Sequence, residues 1–181
     1  MSKAPPLLPA ETLFRMVRLA RRDGIVVLGL SGSLAIASAA LGDYGGALVG
    51  VVIAGAGVFE LHGATLLTAG KAQGVNWLVG SQLYLLVAVL GYVFWRLQAY
   101  DPEWVKQFTA PMLHTAEMQA KLEEAGATDA DMLRMMRLIY HVTYAVVAIL
   151  TVFYQGGMAL YYHRRRAAVT AALGEQGEGH L

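Results

Sequence analysis

Apolar residues gather in four long runs along the chain, and charged residues are concentrated between them. The runs cover roughly residues 24–41, 46–70, 76–97 and 138–162. At a rise of about 1.5 Å per residue, each can form an α-helix that crosses a hydrocarbon layer about 30 Å thick. The pattern therefore predicts an all-α fold, a polytopic transmembrane four-helix bundle.

The segment between the third and fourth runs is the longest connection, and its sequence favours helices. The tripeptide Asp-Pro-Glu at 101–103 offers an N-cap, a proline at the first helical position and an acidic first turn. Gly126 is placed to end this helix, and Thr128 to cap the next one. We expect an amphipathic extracytoplasmic helical hairpin at 98–137, between helices 3 and 4.

Lysine and arginine are distributed unequally between the two sides of the predicted bundle. Nine lie in the N-terminal segment, the second turn and the C-terminal flank, and five lie on the other side. The positive-inside rule then places both termini in the cytoplasm. The expected organisation is a cytoplasmic amphipathic segment at 1–23, helices 1–3 within 24–97, the hairpin at 98–137, helix 4 at 138–163 and a cytoplasmic tail at 164–181.

Composition supports a membrane protein and excludes several kinds of site. Hydrophobic residues make up 56% of the 181 residues, and the mean hydropathy is +0.47, both above the usual range of soluble domains. The net charge of +1 gives no reason to expect a nucleic-acid partner. The chain has no cysteine, so disulfides and thiolate metal sites are excluded. We expect an integral protein of a bacterial inner (plasma) membrane.

Glu60 is the most informative polar residue, because it lies inside the second apolar run. Counted from Gly70 at the end of that run, it is about 15 Å deep, near mid-bilayer. A carboxylate there is costly and marks an ion or proton pathway, or else a paired structural contact. Its helical neighbours are all small, which predicts a close-packed helix interface. These neighbours are Ala56, Gly57, Gly63 and Ala64.

His62 lies two residues further on, on nearly the opposite face of the same helix. It therefore faces another helix or subunit, or forms a local hydrogen bond as a neutral side chain. Other polar residues of helices 3 and 4 lie at a matching depth. The predicted pathway or ion site consists of Glu60, His62, Gln82, Tyr84, Thr151, Tyr154 and Gln155.

One face of the fourth helix is polar along its whole length, which a helix surrounded by lipid would not tolerate. Its outer part, formed by Arg137, His141 and Tyr144, is predicted to line the outer pathway. The alternative is that the outer members belong to an interfacial belt and the inner ones connect helices. The stripe consists of Arg137, His141, Tyr144, Ala148, Thr151, Gln155, Met158 and Tyr162.

Methionine and histidine are concentrated in the outer segment, and both can bind Cu(I). The copper candidates are Met112, His114, Met118, Met132, Met135 and Met136. Methionines at helical spacing are also typical of an apolar helix face, which is the interpretation we favour. No cofactor is predicted.

Three functions are compatible with this pattern. The first is a small oligomeric membrane channel or transporter for an ion, proton or small solute. The alternative is a non-catalytic scaffold or accessory subunit of a larger membrane complex. The third is a membrane enzyme acting on a lipid or quinone, although no catalytic motif supports an enzyme. The expected partners are the lipid bilayer and either identical copies or foreign subunits.

Overall fold

The fold was obtained as a computed structural model, which describes residues 9–99, 115, 124, 126 and 128–178. In these residues the regular elements are four long helices and no strand. They are α1 Pro9–Ala40, α2 Tyr44–Thr68, α3 Gly74–Gln98 and α4 Asp129–Glu178.

All four helices are long and apolar enough to cross a membrane. This confirms the predicted all-α fold with four membrane-compatible helices. Of the predicted hairpin at 98–137, residues 129–137 form the start of α4, and most of 100–127 lies outside the described residues, so the hairpin stays a prediction.

Two helices extend well beyond the predicted spans. α1 begins at Pro9, within the segment predicted as 1–23, and α4 continues to Glu178, through most of the predicted tail. Both extensions bury apolar side chains, among them Met16 and Val169, each with no exposed surface. That burial stabilises a helix in sequence that hydropathy alone marks as a flank.

The helix ends use ordinary capping chemistry. The Asp43 side chain accepts a hydrogen bond of 2.9 Å from the Gly46 amide and caps α2. At α4, the Asp131 amide donates to Thr128 Oγ1 at 3.3 Å, while the Thr128 hydroxyl donates to Asp131 Oδ2 at 2.7 Å. Gly126 has a positive φ of 63°. The predicted cap at Thr128 is thus confirmed.

The chain divides into two compact units. One comprises Met1–Leu90 and Thr151–Leu181, and the other comprises Gly91–Leu150. Within the first unit, a cluster of buried side chains forms a core beside the arginine-rich parts of α1 and α4. Its members are Leu13, Met16, Val17, Ala20, Ala64, Leu67, Val75, Leu78, Tyr162, Val169 and Ala172.

Glycines let α1 and α2 pack with their backbones in contact. A Cβ atom added at Gly57 would lie 2.7 Å from both the Gly24 carbonyl oxygen and the Leu28 amide nitrogen. One added at Gly50 would lie 2.8 Å from the Ala35 Cβ. Only glycine permits these approaches, and they fix the register of the antiparallel pair.

Candidate functional site

Glu60 is buried inside the first unit, with only 2% of its surface exposed. The four small neighbours on α2 that predicted a close-packed interface are buried as well. Glu60 therefore faces other helices rather than lipid, as the helical spacing predicted.

Two neutral donors from two other helices bind the Glu60 carboxyl group. Gln82 on α3 donates from Nε2 to Glu60 Oε1 at 3.0 Å. Tyr162 on α4 donates from its hydroxyl to the same oxygen at 2.8 Å. Gln82 is 1% exposed and Tyr162 is fully buried. Three helices are thus joined at one carboxyl group.

The first helix contributes a second acid, Asp23. A Cβ atom added at the next residue, Gly24, would lie 3.1 Å from the Gly57 carbonyl oxygen, and the Asp23 carboxyl group interacts electrostatically with Glu60. Tyr154 on α4 donates its hydroxyl to Asp23 Oδ1 at 3.1 Å. We call Asp23, Glu60, Gln82, Tyr154 and Tyr162 the carboxyl cluster.

In the described part of the chain, buried oxygen atoms without a donor occur in the carboxyl cluster and at Gln155 on α4. Three buried oxygen atoms have no hydrogen-bond partner among the described residues: Asp23 Oδ2, Gln82 Oε1 and Gln155 Oε1. Buried oxygens of this kind require a proton, a water molecule or a cation. The cluster therefore has acceptor oxygens that a proton, a water molecule or a cation can satisfy.

The helix register changes the expected depth of Glu60. A Cβ atom added at Gly24 would touch Leu61 and the Gly57 carbonyl oxygen, so Glu60 is level with Asp23. Asp23 directly precedes the first apolar run and follows Arg21 and Arg22. The register therefore favours a depth for Glu60 near the basic end of the apolar segments. The residue count from Gly70 had favoured a depth near mid-bilayer.

Of the seven residues predicted for the pathway or ion site, three belong to the carboxyl cluster: Glu60, Gln82 and Tyr154. Gln155 is buried on the same helix, and Thr151 is half-buried one turn before it. Sequence reasoning missed Asp23, which it assigned to the N-terminal segment. Tyr162 was in the predicted stripe but was not selected as a site residue.

His62 and Tyr84 have other surroundings. The exposed His62 ring lies edge-on to Trp77, with 4.8 Å between ring centroids. The Tyr84 hydroxyl donates to the Val52 carbonyl oxygen at 3.0 Å. Phe59, Trp77 and Tyr84 line an aromatic groove with a volume of about 290 Å³. The rings of His62 and Tyr84 thus contact aromatic side chains of this groove, Trp77 and Phe59 respectively, rather than the carboxyl cluster.

The second unit contains a tyrosine cluster around Arg96. Arg96 donates from Nε to the Tyr144 hydroxyl at 3.2 Å, and Tyr140 donates its hydroxyl to the Arg96 carbonyl oxygen at 2.9 Å. Of the predicted outer pathway, Tyr144 joins this cluster. Arg137 and His141 are exposed, and His141 Nδ1 lies 2.8 Å from the Arg137 carbonyl oxygen.

Half of the copper candidates lie outside the described residues, namely Met112, His114 and Met118. On α4, Met132 and Met136 are half-buried and Met135 is exposed. In the described part of the chain, His, Cys, Asp and Glu form no group of three or more that could hold a metal ion. A copper site built on methionine, which the sequence did not favour, is not tested by these residues.

Comparisons with known protein families, with curated proteins and with solved structures gave no match to this chain.

Proposed function

We propose that this chain is a small oligomeric membrane channel or transporter whose substrate is a proton or a small cation. The observation that carries the proposal is the buried Glu60 carboxyl group, which receives hydrogen bonds from α3 and α4 and meets a second acid from α1. Buried acids in membrane helices commonly mark ion and proton pathways. The groups that donate to Glu60 are neutral and do not cancel its charge.

The same chemistry narrows the substrate. An anion would meet two carboxyl groups and the two unpaired amide oxygens of Gln82 and Gln155, all of which disfavour negative charge. A proton or a small cation would satisfy these acceptors. The carboxyl cluster would then act as binding site or gate, and the half-buried Thr151 and buried Gln155 would extend it along α4.

The proposed location is a bacterial inner membrane with both termini in the cytoplasm. The support is the excess of lysine and arginine on that side of the chain. The carboxyl cluster would lie at the cytoplasmic end of the apolar helices, and the segment 98–137 would lie outside. In that orientation the cluster would control entry from the cytoplasm.

Assembly from identical copies is part of the proposal. Large apolar side chains are exposed on every helix. Ile36, Val87 and Phe153 are each more than 70% exposed. Lipid or neighbouring copies would cover these faces. Foreign subunits that purify with the chain in mild detergent would instead support the scaffold function.

Flux measurements in proteoliposomes test the proposal. Purified protein would be reconstituted and assayed with protons, monovalent cations and anions in turn. We expect proton or cation flux for the wild type and background flux for Glu60→Gln, which keeps the shape of the side chain but cannot ionise. Glu11→Gln is the matched control, because Glu11 is an exposed acid paired with Arg15 on α1.

Two results would contradict the proposal. One is a wild-type protein that transports none of these ions. The other is a Glu60→Gln variant with the wild-type flux and pH response, which would leave Glu60 as a structural contact between helices.

A further inference from the structure

The hydrogen bonding between Asp23 and Glu60 cannot be completed if both carboxyl groups are ionised. An ionised carboxylate only accepts hydrogen bonds, whereas a protonated one also donates. Asp23 Oδ2 is buried and has no donor among the described residues, although the close contact of Gly24 with Gly57 and Leu61 brings Glu60 level with Asp23 and their carboxyl groups interact. A proton on either acid would supply the missing hydrogen bond.

Among the described residues, the groups that hydrogen-bond to this acid pair are neutral, and the adjacent positive charge along the chain is Arg22. Arg22, next to Asp23 on α1, acts electrostatically on Tyr154. From α3 the facing group is the neutral amide of Gln82, and from α4 the facing groups are the phenols of Tyr154 and Tyr162. Two full negative charges would therefore face each other with little compensation, and one bound proton removes that repulsion.

We propose that Asp23 and Glu60 hold one proton between them and form the protonatable element of the carboxyl cluster. With the proton bound, the pair carries one negative charge and the Asp23–Glu60 hydrogen bond is complete. After the proton leaves, the pair carries two negative charges and attracts another proton or a cation. This inference deepens the proposed function, on which it rests, by naming the ion and the second residue.

The unpaired amide oxygens are consistent with proton exchange at this pair. Gln82 Oε1 belongs to the amide group that donates to Glu60, so it lies beside the pair and can accept from a water molecule. Gln155 Oε1 is a further buried acceptor on α4. A water molecule at Gln82 Oε1 would give the pair a route for releasing and regaining its proton.

Infrared spectroscopy of the full-length protein in lipid tests the acid pair. A protonated carboxyl group gives a C=O stretching band that is separate from the bands of ionised carboxylates and shifts in D₂O. We expect such a band at neutral pH in the wild type. Both Asp23→Asn and Glu60→Gln should remove or shift this band, and Glu11→Gln should leave it unchanged.

A wild-type protein without the band would overturn the proposal. So would an Asp23→Asn variant with an unchanged band, because the proton would then belong to Glu60 alone. Far-UV circular dichroism would show whether each variant is folded. If a variant does not fold, the wild type can be treated with a hydrophobic carbodiimide, which modifies protonated carboxyl groups. Peptide mapping should find the label on Asp23 or Glu60, and its absence from both would contradict the proposal.

Failure of this inference can be distinguished from failure of the proposed function. If the infrared band is present but no ion flux is measured, the acid pair is supported and the channel or transporter function is contradicted. If cation flux is measured but the band is absent, transport is supported and the shared proton is contradicted.

Discussion

Replacing Tyr162 by phenylalanine removes one hydrogen-bond donor from the carboxyl cluster and little else. The ring remains in its buried position, so no large cavity forms. The Glu60 oxygen loses a 2.8 Å hydrogen bond and keeps the one from Gln82. Interhelical hydrogen bonds in membrane proteins contribute about 0.6 kcal/mol on average and up to about 1.7 kcal/mol.

The expected loss for Tyr162→Phe lies at the upper end of this range. Glu60 is only 2% exposed, so water does not replace the lost donor, and its oxygen keeps a single hydrogen bond, from Gln82. We therefore expect the free energy of unfolding to fall by about 1–2 kcal/mol, which lowers the ratio of folded to unfolded protein by a factor of about 5–30.

Tyr161→Phe is the matched control, because Tyr161 is the adjacent tyrosine and is only half-buried. The free energy of unfolding of Tyr161→Phe should stay within about 0.5 kcal/mol of the wild-type value. Unfolding in mixed micelles, followed by circular dichroism, measures both variants against the wild type. Equal stability of the two variants would refute the reasoning, since it would mean that the Tyr162 hydroxyl contributes nothing at Glu60.

Three further predictions concern packing, capping and topology. Gly50→Ala should destabilise the α1–α2 pair by about 1–3 kcal/mol, because the new Cβ would overpack against Ala35. Gly55→Ala is the control in the same unfolding assay. It should be tolerated, because its new Cβ would lie 3.6 Å from the Tyr84 hydroxyl. Thr128→Ala should cost about 1 kcal/mol by removing the cap of α4, with loss of helical signal in circular dichroism. Thr143→Ala is the control, because Thr143 is exposed within α4. Equal effects of the two variants would contradict a capping role. Reporter fusions at residue 181 and near residue 115 should appear on opposite sides of the membrane, and the same side for both would contradict four spans.

Hydropathy predicted the four helices because each apolar run is long and contains few charges. The start of α4 could also be predicted, since Thr128 supplies a local cap that does not depend on the rest of the fold. The extensions of α1 and α4 could not. They are helical because residues such as Met16 and Val169 are buried against other helices, and the sequence does not show those contacts.

The candidate site was predicted only in part, for a similar reason. Glu60 and Gln82 were identified as polar residues within apolar runs. Asp23 was missed because it lies at the edge of a run, where an acid is unremarkable in sequence. Its place beside Glu60 follows from the α1–α2 register, which depends on the close approach of Gly24 and Gly57. The signal in sequence was the single acid between the arginine-rich segment and Gly24.

Cross-linking of α1 to α2 tests most directly whether Asp23 and Glu60 meet. The natural chain has no cysteine, so an introduced pair reports without background. An ideal Cβ at Gly57 lies 2.9 Å from the Leu28 Cβ, and a small separation of the helices brings the pair into the disulfide range of about 3.5–4.5 Å. Leu28→Cys with Gly57→Cys should therefore form a disulfide in the membrane, detected as protection from a thiol reagent until reduction.

Gly55 is the control partner, because the nearest atoms to a Cβ added there belong to Tyr84 on α3. Leu28→Cys with Gly55→Cys should remain reactive toward the thiol reagent. Protection of the Gly57 pair alone is the predicted result and would place Asp23 level with Glu60. Protection of the Gly55 pair alone would show a different register, separate Asp23 from Glu60 and contradict the carboxyl cluster.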